Sequence, residues 1–170
     1  MKAINIFLIS ILISTTAITS CSNTNRVKAD AMDSTTVRNM IESQSFVFIP
    51  RYVNAVGVRS RDVSYGFQIS ISKDTIVSYL PYFGRGYVAS ISPSDVDFDF
   101  TSTKFTIATT GAKRGWNISI KPKDQRFLTE LYFRIFDNGN ASLTVTSNDR
   151  SVISYNGYIT ERKLNTNSKK

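Results

Sequence analysis

The chain has 170 residues, with 21 Lys and Arg against 13 Asp and Glu for a formal charge of +8, a single cysteine and no histidine. Without histidine there is no Ser-His-Asp or Cys-His catalysis and no common zinc site, and a lone cysteine cannot form an internal disulfide. The length suits one domain able to bury a core of its own.

In chain order, Met1 and Lys2 lead into an apolar run from Ile4 through Phe7, Leu8 and Ile9 to Ile13. It is too short to span a membrane and is followed by small residues, the layout of a secretory signal peptide over residues 1–20. The segment ITSC resembles a bacterial lipoprotein box, with Ile18 and Ser20 in place of the usual leucine and glycine or alanine. This predicts cleavage before Cys21 and its acylation, for example by palmitate. An ordinary cleavage site close to Cys21 is the alternative. A lone thiol is unusual in an exported protein, and each acyl chain gains about 0.8 kcal/mol per buried methylene.

Removing residues 1–20 from the 170 leaves 150 and takes away only Lys2 among the charges, so the formal charge falls from +8 to about +7. In the cell envelope the abundant anions are lipid phosphates, lipopolysaccharide and acidic glycans, which replace nucleic acid as partners for a basic surface. A charge that only keeps the protein soluble is the simpler reading. SNTNRVK, after Cys21, lacks an acidic cluster, which places the expected anchor in the outer membrane facing the periplasm.

Residues 21–33 read as a lipid-anchored tether, residues 34–162 as a single β domain, and residues 163–170, KLNTNSKK, as a basic tail. Asp33 or Ser34 caps a short helix whose Val37, Met40 and Ile41 share a face and which ends near Gln44. From Phe46 onward the apolar period is two. YGFQISIS turns Tyr65, Phe67, Ile69 and Ile71 to one side. After a turn at Lys73 and Asp74 a strand runs from Ile76 to Leu80. VDFDF, KFTIATT and WNISIK alternate in the same way. FLTELYFRIF carries apolar residues on both faces, with Leu128, Tyr132 and Phe136 opposite Phe127, Leu131, Phe133 and Ile135, and so predicts a central strand covered on both sides. DNGN is a tight-turn signal before ASLTVTS. In the last strand, SVISYNGYIT, Asn156 and Gly157 predict a bulge or bend.

These elements predict a mainly β fold: about eight strands in an antiparallel up-and-down meander, closing into a small barrel or curved half-barrel, with one short N-terminal helix.

YLPYFGRGY concentrates Tyr79, Tyr82, Phe83 and Tyr87 around Pro81, Gly84 and Gly86, which together bend the chain. Burial of the rings at one end of the core, near Trp116, is one reading. The other makes Tyr79, Tyr82, Phe83, Tyr87 and Trp116 the wall of a ligand pocket, with Arg85 offering its charge to an anionic group. Asp95, Asp97 and Asp99 alternate on one strand face about 7 Å apart. They suit a solvated edge better than a calcium site, so no metal or cofactor is expected. Ser70 and Lys73 have Ser-x-x-Lys spacing but fall across a strand end, so no enzyme chemistry is assigned.

YLPYFGRGY, together with NMIESQSFVF, WNISI and NGNASLTVTSNDRSVISYNGYI, resembles the domain of unknown function 4251 family of exported bacterial lipoproteins, over about Asn39 to Ile159. The resemblance implies an envelope lipoprotein with a mainly antiparallel β domain, and it brings no activity or functional residues. The expected function is a non-catalytic binding module for a small apolar or anionic amphipathic ligand. A subunit that contacts a protein partner, or maintains the envelope without a small ligand, is the alternative.

Overall fold

A computed structural model describes residues 32–57, 59–83 and 98–162. Cys21, Arg85, Tyr87, Asp95 and Asp97 lie outside the described residues. Helix α1 (Ser34–Glu42) begins where Asp33 stays extended and accepts the Thr35 N–H at 3.1 Å, which satisfies one of the free donors of the first turn. It ends at Ser43, whose N–H donates to the Asn39 carbonyl at 2.9 Å, and Gln44 at φ 51 then turns the chain into the sheet.

Ten strands follow among the described residues: β1 (Phe46–Ala55), β2 (Arg61–Asp62), β3 (Gln68–Ile71), β4 (Ile76–Leu80), β5 (Phe98–Ser102), β6 (Phe105–Ala112), β7 (Gly115–Pro122), β8 (Leu128–Phe136), β9 (Asn140–Ser147) and β10 (Ile153–Thr160). The sheet order is β5-β4-β3-β1-β10-β9-β8-β7-β6, with β2 paired to β1 and every ladder antiparallel. β1 pairs with β10, so the first and last strands of the meander join and the sheet curls into a nearly closed barrel. The opening falls inside the chain, between β5 and β6. Only Thr103 and Lys104 separate these two strands, yet they stand at opposite ends of the order.

Side chains finish that seam. The Asp124 carboxylate accepts the Ser102 hydroxyl, the Thr103 N–H at 2.8 Å and the Lys104 N–H at 3.2 Å. Gln125 Nε2 donates to the Thr101 carbonyl at 2.8 Å, and the Phe127 ring meets Phe100 edge-on at 6.1 Å.

Inside, Phe133 receives Phe46 and Phe48 edge-to-face, each with ring centroids 5.8 Å away, and the three rings are buried with Ile69, Ile120, Leu131 and Leu143. Each fully buried ring or branched chain contributes about 1.5–3 kcal/mol. Val37, Met40 and Ile41 of α1 join this same cluster, so the helix packs into the core. Its first turn lies by the β8–β9 turn, where Gly139 at φ 82 supplies the left-handed step of DNGN.

Three sequence expectations shift. The strand read over Tyr65–Ser72 is laddered only from Gln68, because Gly66 at φ 101 turns the chain and leaves Tyr65 fully exposed. β8 is covered on one face only: Leu131, Phe133 and Ile135 are buried, whereas Tyr132 is 40 % exposed and the Arg134 guanidinium lies over Phe136 at 5.4 Å. A register irregularity between Leu128 and Glu130 accounts for the burial of Leu128. The bulge expected at Asn156 and Gly157 sits on the partner strand, where Arg51 is the extra residue between Pro50 and Tyr52. Gly157 is needed for close approach, since a Cβ there would stand 2.0 Å from the Ile49 carbonyl oxygen.

Candidate functional site

The rings of the bend go to different places. Tyr82 is buried, its ring edge-on to Phe98 at 5.3 Å and its hydroxyl 3.0 Å from Ser151 Oγ, with the Arg150 guanidinium over both rings. Pro81 offers its carbonyl to the Tyr155 hydroxyl at 2.7 Å. Tyr79 and Phe83 are partly exposed. Tyr79 stacks on Phe67 at 4.9 Å, and Phe83 lies under the Arg61 guanidinium at 5.7 Å. Trp116 is half-buried on β7, with five strands between it and β4 in the sheet order, and lines a separate cleft with Arg38 of α1, Lys113 and Arg114. The structure therefore brings Tyr79 and Phe83 to the outer wall, seats Tyr82 in the core and leaves Trp116 elsewhere. Arg85 and Tyr87 fall outside the described residues.

The outer wall holds a groove of about 520 Å³ that sequence reading missed. One edge of β1 is laddered twice, to β3 through Phe46–Phe48 and to β2 through Tyr52 and Val53. Between these ladders Pro50 has no N–H to give. Val63 N–H donates to the Arg51 carbonyl at 2.8 Å, after which residues 63–67 swing away from β1 and rejoin the sheet only at β3. The gap is lined by Ile49, Arg51, Tyr52, Tyr65, Phe67 and Tyr158, with Asp62 as its acidic residue. The Arg51 guanidinium lies 4.8 Å from the Tyr158 ring centroid, a stacking that holds its charge at the groove. Tyr79 has a positioning role here, because its stack on Phe67 fixes that wall.

Chemically the groove presents flat rings, one stacked cation, and backbone groups of β1 left without a ladder partner. Among the described residues no three potential metal-ligating side chains cluster, and no helix is long and apolar enough to cross a membrane. The sequence did carry signals for the groove. Pro50 inside a strand pattern and Gly66 inside another each mark a broken ladder, but nothing local says that both breaks face the same gap.

Comparison with known proteins agrees with this architecture. The family profile described as "Domain of unknown function (DUF4251)" matches residues 28–159. A crystal structure of a DUF4251 family protein from Bacteroides eggerthii superposes with a TM-score of 0.56 at 14 % identity, over 78 % of this chain and 90 % of that one, a likeness of fold. No curated protein matches.

Proposed function

Because this chain belongs to the DUF4251 family, which is defined without an activity, we propose that it is a non-catalytic binding module of the cell envelope, held to the outer membrane through acylated Cys21. Its ligand is a small amphipathic molecule with an anionic group, taken up in the outer groove between β2 and β3. The observation that carries this reading is the broken ladder on β1. Aromatic side chains and a stacked arginine line an open gap there, whereas a purely structural break would be filled or capped. Rings supply apolar contact at low entropic cost and Arg51 supplies the counter-charge, the combination an amphipathic anion needs.

Two measurements test it. Native mass spectrometry of the protein purified from its own host should reveal a co-purifying small molecule. The anionic dye 8-anilinonaphthalene-1-sulfonate should bind the folded chain with an affinity that Arg51→Ala lowers about tenfold, with thermal stability nearly unchanged. A clean apo mass together with dye binding indifferent to Arg51→Ala would sink the proposal.

A further inference from the structure

A second groove, of about 460 Å³, adjoins the first and shares Arg51 and Tyr52 with it. The strand registers explain why. Arg134 pairs with Ser142, Ser142 with Asn156, Asn156 with Tyr52, and Tyr52 with Asp62, so one straight row of outward side chains crosses β8, β9, β10, β1 and β2. At about 4.8 Å per strand the row is about 19 Å long. It continues past Arg134 to Asn117, whose Oδ1 is buried without a hydrogen-bond partner. Guanidinium, hydroxyl, amide and phenol succeed one another along it. Rings flank it, Phe136 beneath Arg134 at one end and Tyr158 of the middle strand beneath Arg51.

We infer that the two grooves form one track for an extended acidic oligosaccharide, an inference that rests on the reading of the first groove as a site for an anionic ligand and replaces the small molecule by a chain. A chain of sugars presents hydroxyls at short intervals, which suits polar side chains repeating strand by strand, and the apolar ring faces of sugars suit the flanking aromatics. Arg51 and Arg134, against Asp62 alone among the acids lining the two grooves, suit carboxylates or sulfates. An acyl chain would desolvate the row without pairing it, at a cost for every polar group covered. A peptide adding as a strand would need a free sheet edge along its length, whereas the row runs across the strands and meets β8, β9, β10 and β1 at Arg134, Ser142, Asn156 and Tyr52, each laddered on both sides.

The experiment is calorimetric titration of the full chain with oligogalacturonides, the dimer against the hexamer, with maltohexaose as the neutral control. The hexamer should bind about tenfold more tightly than the dimer, as two linked subsites require. Arg134→Ala should cost the hexamer about tenfold and leave the dimer within about twofold, whereas Arg51→Ala should weaken both. Equal affinity for dimer and hexamer, or for maltohexaose and the acidic hexamer, overturns the track. If dye binding responds to Arg51→Ala and no oligogalacturonide binds, the ligand class falls and the groove stands; if neither binds, both readings fall.

Discussion

At the seam between β5 and β6, Asp124 accepts three hydrogen bonds from Ser102, Thr103 and Lys104 while Phe127 packs on Phe100. At the gap between β2 and β3 the wall is broken over a similar stretch, yet Tyr52 is 50 % and Tyr65 105 % exposed and the lining arginine stacks on a ring. Both are places where a curled sheet fails to pair with itself. The difference lies in how the freed groups are treated. The first break has its turn donors capped by a carboxylate, and the second leaves its rings and cation facing solvent.

The largest expected effect lies behind the gap. The β1 and β10 backbones approach so closely at Gly157 that an added Cβ would meet the Ile49 carbonyl at 2.0 Å and the Pro50 Cα at 2.9 Å. These are backbone atoms and cannot rotate away, so Gly157→Ala should destabilise the fold by about 1–3 kcal/mol and displace the floor of the groove. At Gly111 a Cβ meets nothing within 4 Å, and Gly111→Ala should stay within about 0.5 kcal/mol. Urea denaturation of the two variants checks this; equal midpoints would mean that the bulge at Arg51 is not held by this approach.

Much of the strand and helix framework, and little of either break, is legible in the sequence. Alternation over WNISIK and ASLTVTS gave the right inward faces, and Asp33 and DNGN gave the helix start and a turn, because each is set by residues within a few positions. YGFQISIS alternates as well, and its pattern puts Tyr65 and Phe67 on one side with Ile69 and Ile71. What overrides the pattern is Gly66 at φ 101, which reverses the chain so that Phe67 stacks on the outward Tyr79. The groove joins β1, the loop before β3 and β10, and such a meeting depends on register between distant strands, which local periodicity does not encode. Local sequence also groups the YLPYFGRGY rings as one cluster, whereas among the described rings Tyr82 goes to the core and Tyr79 and Phe83 to the wall.

The seam offers the intermediate effect, and its sign follows from Asp124. The Ser102 hydroxyl first, and then the Thr103 N–H, hold the Asp124 carboxyl below the ordinary carboxylate range. A folded-state value lower than that of the unfolded chain means that ionised Asp124 favours folding; this stability is fully present above about pH 5 and is lost as pH falls through 4 and below. Asp124→Asn should therefore melt at a lower temperature than the parent at pH 7, and the difference should shrink steadily as the pH is lowered toward 3. A gap in melting temperature that stays constant with pH would show that the seam depends on the shape of the side chain and not on its charge.

The smallest effect is expected where the comparison is most exposed. Tyr65 buries none of its surface and follows a loop that makes no ladder with β1, so Tyr65→Ala removes no packed contact and should change stability by no more than about 0.5 kcal/mol. The same substitution strips a ring from the groove and should weaken uptake of the anionic dye. The two readouts separate the breaks in opposite directions, since Asp124→Asn at the seam should lower stability and leave dye uptake alone. A Tyr65→Ala variant that loses more than about 2 kcal/mol in urea would mean that the ring folds down onto the wall in solution, closing the gap and making it a second seam.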